Sequence, residues 1–372
     1  MNIIATSPQG LELLLADEIA EFGGTQIYLH KRFISFTCDI ATFYRIHFFS
    51  KIPFYFYREI ARFDCYDKKS LYKGVQSCFD WLSWIPPDKS FCVQVTGKTS
   101  LLSHSHFTAL EVKNSIIDLQ KRNTGKRSNI STNDPSLIIH LHLQNGEAIL
   151  SFQSTLRSLH KRGYRPAMAD APLKENLASG LIQLANWDRS KPLVDIMCGS
   201  GTFLIEAIAK ELNLPNLQKT YLFQNWIDFQ EDVFLYEKSK INDVLKKEKL
   251  PRVVGCEINR NIFNQAKQNI FLAGIENHIE LYNLDFAELN IPETEGIILC
   301  NPPYGKRIGQ EEDLRDLYGK IGNYLKDNCS GWEFWLLSGN PNLTKYLKMK
   351  ASLKIPVSNG GIDCRWIKYL IR

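Results

Sequence analysis

Asn301-Pro302-Pro303-Tyr304 follows the apolar run "GIILC" and precedes Gly305-Lys306-Arg307. Two prolines hold φ near about −65° and remove two backbone donors, so this stretch is a rigid loop at a strand's end, neither helix interior nor central strand. In an open α/β sheet, ligands bind at the carboxyl ends of the strands. There the Asn301 side-chain oxygen and the Pro302 carbonyl would be two fixed acceptors, and Tyr304 would offer an aromatic face on which a flipped-out base can stack. Such a pair suits a planar amino group, a poor nucleophile because its lone pair is delocalised into a ring. Acceptors that take both its hydrogens draw the nitrogen towards tetrahedral geometry and free the lone pair, which is catalysis by positioning and needs no strong base.

Three earlier strand ends carry residues of a binding site. "DIMCGSGT", Asp195 to Thr202, puts Met197, Gly199, Ser200 and Gly201 in a turn between a strand and a helix. The glycines let the backbone approach a ligand, and the helix starting near Thr202 aims its free N–H groups at it. Leu204 stands where the third glycine of the dinucleotide fingerprint would be, so this turn by itself suits any α/β protein. Glu257 in "VVGCEIN" ends the next strand, where a carboxylate accepts both hydroxyls of a ribose. Asp285 in "LYNLDF" ends the third, placed to accept from an adenine amino group. Taken singly, either acid could be a helix cap. Four strand ends in succession with these residues are hard to obtain by chance.

The elements that position them read as strand, loop and helix in alternation from about residue 170. "KPLVDIMCGSGTFLIEAIAKEL", "PRVVGCEINRNIFNQAKQNIFLAGI", "HIELYNLDF" and "EGIILCNPPYG" are followed by "GWEFWLLSG" and a closing hairpin. This predicts a mainly parallel, doubly wound sheet with an antiparallel strand at the end. The first part mixes short strands and helices: "NIIATSP", the amphipathic helix "QGLELLLADEIAEFG", the strand pair "QIYLHKRFISFTC", then "SFCVQVTGK", the helix "HFTALEVKNSIIDLQKRN" and a hairpin about Asn145-Gly146. It predicts a small α+β module in front of the α/β domain.

At 372 residues the chain is long enough for two or three domains. Nine cysteines with no CxxC pair read as reduced thiols, and "SHSH" at Ser103 to His106 has no third ligand nearby, so neither a disulfide frame nor a metal site is expected. No long apolar run and no signal-peptide pattern is visible, which predicts a cytoplasmic protein without membrane segments. Residues 1 to 165 carry 20 Lys and Arg against 14 Asp and Glu, a net of +6, and the remainder carries 25 against 26, a net of −1. The positive charge on the first part points to a polyanionic partner.

Asp195-x-x-Cys198-Gly199-Ser200-Gly201-Thr202, Glu257, Asp285 and Asn301-Pro302-Pro303-Tyr304 resemble the class I S-adenosylmethionine-dependent methyltransferases that act on exocyclic or amide nitrogens. "NDP" at Asn133 to Pro135 and the segment Ser158 to Ile182 extend the resemblance to the THUMP-containing guanine-N2 RNA methyltransferases of the RlmL and TrmN type. The resemblance implies a ferredoxin-like domain over 1–55, a THUMP RNA-binding domain over 56–154 and a Rossmann-like methyltransferase domain over 155–372. It implies S-adenosylmethionine as cofactor, held by Asp195, Met197, Gly199, Ser200, Gly201, Thr202, Glu257, Asp285 and Asn301, and a monomer that methylates N2 of a guanosine. Large-subunit ribosomal RNA is the first expectation for the substrate, because "LHKRGYR" and "APLKENLA" look most like the ribosomal members, and tRNA is the second. Adenine-N6 methylation of DNA, glutamine-N5 methylation of protein, and an inactive RNA-binding assembly factor remain as alternatives.

Two basic stretches are candidates for phosphate contact. "LHKRGYRP" interleaves Lys161, Arg162 and Arg165 with His160 and Tyr164, and "QKRNTGKR" presents Lys121, Arg122, Lys126 and Arg127, which could equally be a solvated helix end.

Overall fold

Hydrophobic spacing builds the first half. The computed structural model describes all residues except 166–172, 188–189, 217–219, 246–249 and 305–310, so part of the segment Ser158 to Ile182 and all of Gly305, Lys306 and Arg307 lie outside the described residues. Strand β1 (Asn2–Thr6) leads to helix α1 (Glu12–Glu21), strands β2 (Thr25–His30) and β3 (Phe33–Thr37), helix α2 (Ile40–Phe49) and the long strand β4 (Tyr55–Asp64). Leu11, Leu15 and Ile19, four residues apart, are fully buried under α1. Helices α3 (Lys68–Cys78) and α4 (Trp81–Trp84), strand β5 (Phe91–Gly97), helix α5 (Ser105–Thr124), and strands β6 (Leu137–Gln144) and β7 (Glu147–Gln153) follow. Asn145 and Gly146 turn the last hairpin with φ of 52° and 81°, the left-handed pair that a two-residue hairpin requires.

Sequence reading anticipated neither α2 nor β4, and β4 unites this half. It pairs antiparallel with β1 on one edge and with β7 on the other. The seven strands thus form one sheet in the order β2-β3-β1-β4-β7-β6-β5, with no break between the ferredoxin-like and THUMP parts.

The second half contains α6 (Glu175–Leu184), β8 (Leu193–Asp195), α7 (Thr202–Glu211), α8 (Glu231–Ser239), α9 (Ile241–Val244), β9 (Val253–Cys256), α10 (Arg260–Leu272), β10 (Glu280–Tyr282), β11 (Ile297–Cys300), α11 (Glu311–Asn328), β12 (Glu333–Ser338), β13 (Ala351–Asn359) and β14 (Ile362–Leu370). Its sheet runs β10-β9-β8-β11-β12-β14-β13. The first five strands are parallel, and β14 runs antiparallel between β12 and β13. This is the doubly wound sheet read from the sequence. Strand order reverses between β8 and β11, the switch point at which such sheets bind ligands. Among the described residues no helix is long and apolar enough to cross a membrane.

The two halves share a core. Phe43, Tyr44, His47 and Phe48 on α2 meet Tyr221, Phe223 and Phe234, and Arg45 forms a two-pronged pair with Glu237 at 2.9 Å. His47 is fully buried at this junction, with Nδ1 2.6 Å from the Phe43 carbonyl and Nε2 2.7 Å from Ser154 Oγ. Burial pushes its pKa down to about 3 from the ordinary 6.5. The unfolded chain therefore binds this proton more readily than the folded one. The contribution of His47 is intact above pH 6.5 and is lost progressively as pH falls towards 3, by up to about 1.4 kcal/mol per pH unit. Urea unfolding of wild type and His47→Asn between pH 7.5 and 5 checks this. The variant should be weaker at pH 7.5 yet lose stability less steeply with acid, and identical slopes would count against a buried neutral His47.

Candidate active site

At the end of β8 the Asp195 side chain is buried, 1% exposed, and accepts from the Met197 amide at 3.2 Å. Burial pushes its pKa up to about 7, opposed by the Met197 N–H and reinforced by the charge of Glu257. The chain then turns through Gly199 and Gly201 with φ of 54° and 83°, conformations that side chains disfavour. A Cβ on Gly199 would meet nothing within 4 Å, so the turn presents bare backbone to open space ahead of α7. Asn269, buried on α10, donates to the Ser200 carbonyl at 3.0 Å and holds this turn from below. The buried hydroxyl of Thr202, first residue of α7, accepts from the Arg165 guanidinium.

Glu257, just beyond β9, faces the turn. Its two oxygens accept from Gly199 N at 3.1 Å and Asn259 N at 2.8 Å. A carboxylate has about four lone-pair sites, so capacity remains for two further donors such as ribose hydroxyls. Asn283 Nδ2 donates to the Glu257 carbonyl at 2.8 Å and fixes the loop beyond β9. Asp285 takes the capping position that its residue type allowed, accepting from Ala287 N at 3.0 Å beyond β10.

Asn301 lies one residue past β11, next to the switch point, and its Oδ1 is buried without a hydrogen-bond partner. Buried polar atoms are rarely left unpaired, so an orphaned acceptor at a strand end fits a donor brought by a ligand. Pro302 is buried and Tyr304 half-buried, its hydroxyl accepting from Asn359 Nδ2 at 2.7 Å. The structure thus gathers Asp195, the glycine turn, Glu257, Asp285 and Asn301-Pro302-Pro303-Tyr304 at the carboxyl ends of four adjacent parallel strands. Asn269, Asn283 and Asn359 were missed by sequence reading because an asparagine in a helix, a loop or at a strand's end carries no signal of the distant atom it bonds.

The reading of "LHKRGYRP" as a phosphate-contact surface requires correction. Arg162 is 7% exposed and donates to the Leu159 and Lys51 carbonyls at 2.7 and 2.6 Å, with Glu206 at 3.4 Å. Tyr164 is buried with its hydroxyl 3.1 Å from Glu206 Oε1. Arg165, 8% exposed, donates to the Leu173 carbonyl at 3.1 Å and lies 3.6 Å from Glu175. These side chains bind the linker to α6 and α7. Lys161 alone of the four is exposed. Lys121 and Arg122 are exposed at the end of α5, and Lys113, Lys121, Lys126 and Arg127 line two adjoining surface cavities that share no residue with the strand-end site.

Residues 162–368 match the family model described as an RMKL-like methyltransferase domain, residues 65–153 that of the THUMP domain and residues 2–52 that of the RlmL ferredoxin-like domain. A Synechocystis sp. protein provisionally named as an RNA methyltransferase is 38% identical over 371 residues, covering 98% of this chain and 95% of its own. The ribosomal RNA large subunit methyltransferase K/L of Syntrophotalea carbinolica is 32% identical over 99% of this chain but 53% of its own length, so the chain spans about half of such relatives. Among solved structures, SMU.472, a provisionally assigned methyltransferase complexed with SAH, superposes with a TM-score of 0.89 at 23% identity over 100% of this chain and 98% of its own. TrmN from Thermus thermophilus superposes with 0.72 at 18% identity over 100% and 99%. These structures share the fold.

The buried linker network makes a direct prediction. Glu206→Ala leaves the buried Arg162 charge with carbonyl acceptors but no carboxylate, and the Tyr164 hydroxyl without its acceptor, and should cost about 3–5 kcal/mol in urea unfolding. Charge reversal at Arg162 should likewise lower stability while leaving the salt dependence of RNA affinity unchanged in protein that stays folded. Retained stability with a reduced salt slope would return Arg162 to the nucleic-acid surface.

Proposed function

Because the chain belongs to the RMKL-like methyltransferase family, with THUMP and RlmL ferredoxin-like units ahead of the catalytic domain, we propose that it moves a methyl group from S-adenosylmethionine to the N2 exocyclic amine of a guanosine in RNA. Large-subunit ribosomal RNA is the favoured substrate, in keeping with the K/L names of relatives. The observation that carries the reading is the buried, partnerless Oδ1 of Asn301 between β11 and two prolines.

S-adenosylmethionine, when bound, supplies an electrophilic methyl group. The open backbone at Gly199, the spare acceptor capacity of Glu257, and Asp285 suit its ribose, adenine and amino-acid parts. Asn301 Oδ1 and the Pro302 carbonyl accept the two hydrogens of the guanine amine and turn its lone pair outwards, and the prolines keep these acceptors from moving with the substrate. The amine becomes acidic only once methylated, so no side chain here has to act as a strong base. Tyr304 stacks on the flipped base. The exposed cations Lys121, Arg122, Lys126 and Arg127, with half-buried Lys113 beside them, grip phosphates on the THUMP side.

Two measurements test this. Labelled S-adenosylmethionine should transfer its methyl to a guanosine in large-subunit RNA from cells lacking the gene, so that the label is recovered as N2-methylguanosine. Asn301→Ala should lower that rate at least about a hundredfold with cofactor affinity little changed. Label in tRNA would move the substrate, label in DNA or protein alone would overturn the RNA reading, and loss of cofactor binding in Asn301→Ala would make Asn301 structural. The second concerns Asp195. A cationic cofactor favours its charged form, so affinity should be full above pH 7 and fall up to about tenfold per unit below it as the carboxyl protonates. Calorimetry from pH 8 to 6 should find this trend in wild type and a flat profile in Asp195→Asn. A flat wild-type profile would remove Asp195 from contact with the cofactor's charge.

A further inference from the structure

The prolines fix the backbone that leads into Tyr304 but leave its side chain free to rotate, so the ring depends on contacts from elsewhere. One side of it lies against Gly339, just past β12, where a Cβ would come 3.0 Å from a ring carbon. Its hydroxyl is reached from the β13–β14 hairpin: Asn359 Nδ2 donates to it at 2.7 Å, and Cys364 Sγ lies 3.7 Å away on the opposite strand. Burial raises the phenol above its ordinary pKa, so the hydroxyl is neutral and available as an acceptor at physiological pH.

The arm that delivers Asn359 is itself rigid. Strand β14 pairs with β12 over six residues and with β13 along its length, and Gly360 and Gly361, with φ of 60° and 87°, close the hairpin in the left-handed turn that two central residues need. Its outer strand is anchored on the first loop of the chain. Ser358 N donates to the Gln9 carbonyl at 3.2 Å, and the backbone at Gly10 approaches so closely that a Cβ there would lie 2.4 Å from the Pro356 carbonyl oxygen. The contact from the N-terminal sheet to β13 thus ends, one residue further on, at the side chain that holds Tyr304.

We infer that Asn359 is a positioning residue that sets the orientation of the Tyr304 ring, and through it the alignment of the target base. This inference rests on the reading of Asn301-Pro302-Pro303-Tyr304 as the amine-binding loop. A ring released from Asn359 still lies beside Gly339 but samples more orientations, so a base stacked on it presents its amine to Asn301 less often. The loss falls on turnover and not on cofactor affinity.

The experiment is a double-mutant cycle with Asn359→Ala and Tyr304→Phe, measuring kcat and KM for RNA at saturating S-adenosylmethionine, with cofactor affinity by calorimetry. Each single variant should lower kcat about tenfold with little change in cofactor affinity. The double variant should be no slower than either, because both remove the same bond. Fluorotyrosine-labelled protein adds a readout independent of activity: the fluorine resonance absent from Tyr304→Phe should shift or broaden in Asn359→Ala. Independent losses in the cycle, or an unmoved resonance, would overturn the inference. A wild-type protein that methylates no RNA would instead overturn the functional reading, while the resonance still tests the anchor.

Discussion

Parallel pairing of β8 with β9 on one side and β11 on the other is the constraint on which the site depends. Because the strands leave β8 in opposite directions, the connections beyond their carboxyl ends must part there. A cleft opens between the glycine turn after β8 and the Asn-Pro-Pro-Tyr loop after β11. Every proposed contact to cofactor and amine follows from it. Asp195 ends β8, Glu257 follows β9, Asp285 lies beyond β10 and Asn301 follows β11. No long-range side-chain bond is needed to bring them together, since backbone pairing over three or four residues per strand does so.

What backbone pairing does not supply is rigidity between strand ends, and here asparagine side chains carry the structure. Asn269 holds the Ser200 carbonyl, Asn283 holds the Glu257 carbonyl and Asn359 holds the Tyr304 hydroxyl. Each bridges a loop to an element far off in the chain. A side-chain amide suits this task because it is uncharged and can be buried at lower cost than a lysine or glutamate.

The linker between the halves makes the complementary use of charge. Arg162 and Arg165 are buried between α6, α7 and the Lys51 carbonyl, with Glu206, Glu175 and Thr202 as partners and the Tyr164 hydroxyl bonded to the same Glu206. Since Thr202 opens the helix behind the glycine turn, the linker holds that turn from the side of the N-terminal sheet. Two buried pairs of this kind contribute less to net stability than their number suggests, but removing one partner strands the other. They therefore specify one relative placement of the halves. Exposed cations at the end of α5 face solvent instead, and a polyanion could reach them without disturbing the core.

By itself the sequence determined the local features: period-two and period-3.6 patterns, the Asn-Gly turn, the glycine turn and the proline loop. These depend on near neighbours, so the parallel sheet, its closing hairpin and the residues at four strand ends were all legible. Three things were decided only by tertiary structure. Strand β4 joins the two N-terminal units into one sheet, a pairing between residues about 90 apart that no local pattern records. The charges of "LHKRGYRP" read as surface, because a one-dimensional pattern cannot tell a solvated arginine from one whose acceptors, Lys51 O and Glu206, arrive from either side of it in the chain. The Tyr304 ring was visible as an aromatic in a rigid loop, but its anchor, Asn359, lies 55 residues further on. Local conformation is set by backbone sterics and side-chain spacing, which a sequence displays. Which polar group meets which depends on how the elements pack, and that is settled only when the chain has folded.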